Sequence, residues 1–478
     1  MKEAPAVPEA SPSDDALGPY RRVLDRVRRR QDSHNAKTMY FGSEAKSDVF
    51  STLAERTTKQ ATLLHIVDAD ATVATEQNNV LWQDLAVSGV VVRVVYLVAH
   101  LGILDAAFIA QLREQEADGI DVRVANVAWV SDELAATAVY DCVLSDDIVL
   151  VFSPPVIDSD PGGLWTVTVA EEHLSAGQEM LSSLWSAARS LDDLPTDLDL
   201  EEPLAQSARL IGDVAAVLCV GDHVDAGGCT WYHGVWQYLR LMDMVSTPSW
   251  HHEFYSHELR SAVLAGARAP VVSGTADYSV FAYLIGALGD AAGTAKLTVV
   301  DRCNTPLFAC QWYAKRVGLR VTTVSDDIRT YANSHEGQHD LIVTDAFLTR
   351  FSAEERRDVL RDWYDMLIDG GRVVTTVRIH AGPSRGQTPD EAVTSFRDRA
   401  ASRWRRWQPF VGLERQHVAA MAEYYARRMI SNPIGGELEI RTLIEELFTI
   451  ESSEIASVPG ELYPTDYLRV VLRKEERE

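Results

Sequence analysis

Positive charge is scarce in this chain. Its 478 residues hold 45 lysines and arginines against 70 aspartates and glutamates, a formal net charge of −25. Phosphate backbones and anionic membrane surfaces repel such a protein, which disfavours nucleic-acid or membrane partners recruited by charge. Cysteine is sparse as well: Cys142, Cys219, Cys229, Cys303 and Cys310 are scattered and odd in number. That pattern suits reduced thiols rather than a disulfide framework. The longest apolar stretch, Val90 to Leu104, is interrupted by Arg93 and His100 and is too short to span a bilayer. The first twenty residues carry Ala, Pro, Ser and acid without an apolar core, so no secretory signal is expected. Together these absences predict a cytoplasmic protein.

Several chemical signatures are missing too. No G-x-G-x-x-G occurs at the strand–helix turns, which argues against a dinucleotide pyrophosphate. No C-x-x-C or H-E-x-x-H accompanies the histidines. No H-x-K is found, which excludes the phosphodiesterase chemistry that depends on it.

What is present is organised around Ala269 to Ile328. A short apolar run, Pro270 to Val272, meets Ser273-Gly274, and a helical pattern starts near Tyr278. A second run, Leu297 to Val300, ends in Asp301. An amphipathic stretch, Pro306 to Val317, leads to a third run, Leu319 to Val324, ending in Asp326-Asp327. Strand, turn, helix and strand with a terminal acid make a βαβ unit of a parallel sheet, whose ligand lies at the carboxyl ends of the strands. One glycine at the turn and an acid for a ribose diol predict an adenosine-type ligand without a pyrophosphate.

The pattern continues in order. His339 to Thr344 reads as a fourth strand, followed by Asp345-Ala346-Phe347. Ser352 and Glu355 form a capping box for a helix to Leu367. Asp369-Gly370-Gly371 is expected to stop that helix before a fifth strand, Arg372 to Val377. Helices rich in Arg and Trp (RWRRWQPF) precede a closing pair, Phe448 to Val458 and Asp466 to Arg473. From Val271 to Arg473 the chain resembles the class I S-adenosylmethionine (SAM)-dependent methyltransferases. That resemblance implies a Rossmann-like seven-stranded sheet over residues 263–478, with a helical insertion at 380–447 that acts as a substrate lid. It implies SAM as cofactor, with Ser273, Gly274, Asp277 and Tyr278 at the methionine end and Asp301 on the ribose hydroxyls. Asp326 and Asp327 would meet the adenine, and Thr344, Asp345 and Phe347 would face the transferred group.

Upstream, residues 173–262 read as a helical linker and cap. Gly221 to Leu259 concentrates Cys229, His233, His251, His252 and His257 with many aromatics. Cys229 and His233, four apart, share a helix face, but Gly234 weakens the helix there, and no metal site is expected. The favoured reading is a cap over the cofactor, with Arg240 offering its fork to a carboxylate. Tyr232, His233 and Asp345 are the candidates for positioning the acceptor, with His233 as base.

Residues 36–172 form a separate, smaller α/β domain of alternating strands and helices, among them Ala61 to Asp68 and Val90 to Val98. They resemble a phospholipase D-like domain without its catalytic histidine motif, which implies a scaffold, dimerisation or sensing role and a homodimer formed through it. Residues 1–35 read as a disordered tail and a basic helix, RRVLDRVRRRQ. The expected activity is methyl transfer to a small neutral or cationic molecule. Transfer or cyclisation of the aminocarboxypropyl arm, and a non-catalytic SAM-binding regulator, stay open beside it.

Overall fold

The structure, a computed structural model, describes residues 37–41, 45–67, 76–99, 101, 104, 106–138, 140–152, 165–194, 203–219, 228–245, 247–379, 388–411, 413–429, 432, 434–458, 462 and 465–475. The tail and basic helix expected over residues 1–35 lie outside them. Two compact units divide the chain: Met1–Ala205 with Arg405–Glu414, and Gln206–Trp404 with Arg415–Glu478.

The first unit is built on a mixed eight-stranded sheet, in the order β1-β7-β6-β5-β2-β3-β4-β8. Its strands are β1 (Thr38–Phe41), β2 (Gln60–Val67), β3 (Val91–Val98), β4 (Asp121–Asn126), β5 (Cys142–Ser145), β6 (Val149–Phe152), β7 (Trp165–Thr168) and β8 (Arg189–Ser190). Between them lie α1 (Lys46–Arg56), α2 (Glu76–Val87), α3 (Ala106–Ala117), α4 (Asp132–Thr137) and α5 (Glu171–Ala187). Strands β2, β3 and β4 run parallel, and β3 reads as a near-continuous apolar run because helices cover both faces of a parallel sheet. The β5–β6 hairpin turns on Asp146 and Asp147, both at positive φ, as a type I′ turn requires. The Asp146 carboxylate also accepts the backbone N–H groups of Thr58, Lys59 and Gln60, each at 2.9 Å.

The second unit begins with α6 (Leu204–Leu218), α7 (Thr230–Leu241) and α8 (His252–Leu264). The parallel strands and their helices follow: β9 (Pro270–Ser273), α9 (Ser279–Leu288), β10 (Thr298–Asp301), α10 (Asn304–Arg316), β11 (Thr322–Ser325), α11 (Ile328–Ala332), β12 (His339–Asp345), α12 (Ala353–Met366) and β13 (Leu367–Ile379). Helices α13 (Asp390–Arg403), α15 (Arg415–Arg428) and α16 (Glu437–Glu445) lead to β14 (Thr449–Val458) and β15 (Thr465–Arg473); the short α14 (Gln408–Val411) groups with the first unit. The sheet order is β11-β10-β9-β12-β13-β15-β14, with β15 antiparallel to both of its neighbours. Counted within the unit, this is 3-2-1-4-5-7-6, the Rossmann-like arrangement of the class I methyltransferase fold.

Two local readings differ from expectation. The glycines at Gly370-Gly371 do not end α12: the helix stops at Met366, and both lie inside β13. Gly370 at φ +78° lets the chain pair with the end of β15, through Gly370 N–H to Lys474 O and Lys474 N–H to Gly371 O. The Trp/Arg-rich run is also divided, since Arg405–Glu414 groups with the first unit rather than with the insertion.

The capping box forms as the sequence implies. The Ser352 hydroxyl accepts Glu355 N–H, and the Glu355 carboxylate accepts Ser352 N–H at 2.9 Å. Ser352→Ala should therefore destabilise the second unit by about 1 kcal/mol, read as a lower urea midpoint with an unchanged denaturant slope.

Candidate functional site

A cavity of about 360 Å³ opens at the carboxyl ends of β9, β10, β11 and β12. The strand order reverses there, between β9 and its two neighbours, which is where open α/β sheets hold ligands.

The turn after β9 forms one wall. Gly274 adopts φ +70°, and a Cβ built on it would stand 2.2 Å from the Phe347 ring. Glycine is thus required twice over, by conformation and by close approach. Asp277 closes the turn: one carboxylate oxygen accepts Ser279 N–H at 2.9 Å, capping α9, while the other pairs with the Arg240 guanidinium at 2.5 Å.

Asp301, at the end of β10, joins two turns. Its carboxylate accepts Thr275 N–H at 3.0 Å through one oxygen and Cys303 N–H at 2.7 Å through the other. Exclusion of water by the cavity walls pushes its pKa up to about 6, against the lowering effect of the nearby His233 and of both backbone donors. A carboxylate has about four acceptor positions, so two remain for a ligand.

After β11, Asp326 accepts Asp327 N–H at 2.8 Å. Asp327 caps α11 and takes Arg329 in a fork at 3.1 and 3.0 Å. Burial raises the Asp327 pKa, but the Arg329 contacts outweigh it and hold the carboxylate below its usual range. After β12, Asp345 accepts the Tyr255 hydroxyl at 2.7 Å and the Thr376 hydroxyl at 2.6 Å. Ala346 follows at φ +49°, a conformation that side chains other than glycine rarely take and that clusters at functional sites.

The opposite wall is aromatic. Tyr232 lies 4.9 Å from Trp236 and stacks at 6.1 Å on Tyr425 of α15. The Arg350 guanidinium sits 4.5 Å from the Tyr232 ring, a cation–π contact. Trp231 packs against Tyr232 and Tyr425, and Met429 and Arg378 also line the cavity.

At one end of the cavity the thiols of Cys219, Cys229 and Cys303 meet His233. Cys219 Sγ lies 3.6 Å from Cys303 Sγ and 3.5 Å from His233 Nδ1, and Cys229 donates to Cys303 at 3.5 Å. Hydrogen bonds from Cys229 and Cys303 draw the Cys219 thiol down to about 3, while the same contacts push Cys229 up.

Of the residues singled out in the sequence, Tyr232, His233, Gly274, Asp277, Asp301, Asp326, Asp327, Asp345 and Phe347 line the cavity. Four lie behind its surface. Ser273 accepts the Trp363 indole N–H at 2.9 Å, and Tyr278 stacks on Tyr313 with its hydroxyl 2.8 Å from Ser207. Thr344 donates to Gly274 O. Arg240 does not present its fork to a ligand, because it forms a buried pair with Asp277, both side chains 2% exposed. His233 lines the cavity, with its Nδ1 3.5 Å from Cys219 Sγ. Arg350, Arg378, Tyr425, Cys219 and Cys303 went unrecognised. Cys303 alone carried a signal, two residues beyond the strand-end acid.

No protein-family model matches the chain, and no curated protein matches it. Among solved structures it is similar to N-methyltransferase NodS from Bradyrhizobium japonicum WM9, in complex with S-adenosyl-L-homocysteine. The identity is 17%, over 52% of this chain and 99% of that one, with a TM-score of 0.32. It is also similar to Burkholderia thailandensis 1,6-didemethyltoxoflavin-N1-methyltransferase, at 18% identity over 60% and 96% of the two chains, with a TM-score of 0.33. The PH0226 protein from Pyrococcus horikoshii OT3 matches at 15% identity over 49% and 94%, with a TM-score of 0.31. Among the described residues no helix is long and apolar enough to cross a membrane.

Two substitutions measure how the wall is held. Gly274→Ala should cost on the order of 2–3 kcal/mol in urea unfolding, and adding Phe347→Ala should recover the steric share but not the backbone share. Arg240→Ala should cost about 3–5 kcal/mol by leaving Asp277 charged, buried and without this partner, whereas Arg240→Met with Asp277→Asn should cost less.

Proposed function

We propose that the second unit binds SAM and transfers its methyl group to a small-molecule acceptor. The observation that carries this reading is Asp301. It is a carboxylate fixed by two backbone donors at the end of the second strand, facing a turn whose single glycine closes on Phe347 rather than on a pyrophosphate. The two acceptor positions left on Asp301 suit a ribose diol.

The remaining parts of the ligand follow the strand ends. Asp326 and the backbone around Asp327 and Ile328 suit the adenine edge, because the Asp327 carboxylate is already taken by Arg329. The methionyl arm runs past Gly274 and Asp277. The acceptor side comprises Asp345, Phe347, Arg350, Tyr232, Trp236 and Tyr425.

That side differs from what the net charge of −25 suggested. Arg350 lies against the Tyr232 face and Arg378 lines the same cavity, which favours a flat acceptor bearing a carboxylate or another anionic edge. Methyl transfer is an in-line displacement, in which the enzyme's main task is to align the acceptor with the sulfonium. Tyr232 and Asp345 are the positioning groups in this reading. Asp345 is held by Tyr255, which burial keeps protonated and therefore able to donate.

Calorimetric titration of SAM and S-adenosylhomocysteine into wild type and Asp301→Ala tests the site. Loss of one charge-assisted contact should cost about 1.5–3 kcal/mol, roughly tenfold or more in affinity. Absence of binding by the wild type would overturn the reading. Turnover that releases methylthioadenosine instead of S-adenosylhomocysteine would replace methyl transfer with transfer of the aminocarboxypropyl arm.

A further inference from the structure

We propose that Cys219, Cys229, His233 and Cys303 form a closed, four-ligand site for a thiophilic divalent ion, zinc. Their ligand atoms, three Sγ and one imidazole nitrogen, all lie within 4.8 Å of one another. A tetrahedral zinc centre with metal–sulfur bonds of about 2.3 Å has sulfur–sulfur edges of about 3.8 Å and sulfur–nitrogen edges of about 3.6 Å. The edges here are 3.6 Å for Cys219–Cys303, 3.5 Å for Cys229–Cys303 and 3.5 Å for Cys219–His233. Three of the six edges are thus within about 0.3 Å of the tetrahedral values, and the other three are no longer than 4.8 Å.

The surroundings suit thiolates. Cys229 is the N-cap of the twelve-residue α7, and Cys303 is the N-cap of the thirteen-residue α10. The Cys303 sulfur accepts a backbone N–H at the positive end of its helix, which stabilises an ionised ligand, and Cys229 sits at the N-cap of α7 without such a bond. Outer contacts orient the sulfurs: Thr305 Oγ1 lies 3.0 Å from Cys219 Sγ, and Thr305 N–H points to Cys303 Sγ at 3.5 Å. Cys219 and His233 are buried, and Cys229 and Cys303 half-buried. A disulfide accounts for less: it would join two of the three sulfurs at about 2.05 Å and leave the third thiol and the imidazole unexplained.

A set of four protein ligands is the pattern of a structural zinc, with no open position for substrate. Its place gives it a task. Cys219 follows the last residue of α6, Cys229 opens α7, and Cys303 lies in the loop whose backbone N–H holds Asp301. The ion would fasten the two cap helices to the strand-end acid without taking part in chemistry at the acceptor.

The test uses full-length protein purified under reducing conditions without chelator, and no step of it involves SAM. Elemental analysis should find roughly one zinc per chain. After the zinc is removed by chelation, anaerobic titration with Co²⁺ should give tetrahedral ligand-field bands and a thiolate-to-cobalt charge-transfer band, saturating near one equivalent. Cys303→Ser and Cys219→Ser should weaken Co²⁺ binding at least about 100-fold and lower the charge-transfer intensity, whereas Cys142→Ala should leave both unchanged. The wild-type measurements decide even where a variant fails to fold. Uptake below about one-tenth of an equivalent of Co²⁺ would overturn the proposal. So would fewer than five free thiols in the freshly purified, denatured protein, which would show a disulfide in place of the site.

Discussion

The second unit depends on one carboxylate. Asp301 receives a backbone N–H from the turn after β9 and another from the loop after its own strand. Two chain segments that parallel pairing leaves side by side are thereby joined exactly where pairing ends. Without this carboxylate the amides of Thr275 and Cys303 would lose their acceptor, at a cost of about 1–3 kcal/mol for each group left unmatched. The same carboxylate stays half-buried and lines the cavity, so one residue both joins the two turns and faces the open space. That double duty explains why it is poorly solvated and why its acidity is weakened.

Around this point the cap is held by charge rather than by apolar packing alone. Arg240 from α7 reaches Asp277 in the glycine turn, and the pair is nearly inaccessible to water. A buried pair adds little net stability compared with an apolar equivalent, but breaking it on one side is costly. It therefore suits a device that fixes the angle of a cap helix against the sheet. Tyr255 does the same from α8, donating to Thr344 O and to Asp345 at the end of β12. Each of these helices is thus bonded to the carboxyl end of a different strand element, and α7 is held where its aromatic residues line the cavity.

The strands, their order of appearance and the acids at their ends were legible because periodicity and strand length are local properties. Asp301 could be singled out from sequence since its place at a strand end beside the cavity follows from the βαβ unit. Arg240 was misread for the opposite reason. An arginine on an aromatic helix looks the same whether it faces a ligand or a buried aspartate, and only the packing of α7 against the turn decides. Gly370-Gly371 looked like a helix stop, yet Lys474, about a hundred residues away, holds both glycines in the sheet. The thiol cluster was hidden by the same distance. Cys229 and His233 stood out at helical spacing, while Cys219 and Cys303 come from other elements and leave no spacing signature.

The conflict between overall and local charge shows how far composition reaches. A net charge of −25 governs long-range encounter, which decays within a Debye length of roughly 8–10 Å in physiological salt. Inside the cavity the relevant charges are those within a few ångströms. There the strand ends supply Asp301, Asp326, Asp327 and Asp345, and Arg302, Arg350 and Arg378 line the same cavity. Carboxylates and guanidiniums therefore share the lining, and the net charge does not decide the sign that a ligand meets there. A ligand placed among them would meet either sign within a few ångströms, so its orientation would follow from the groups it pairs with rather than from the charge of the whole chain.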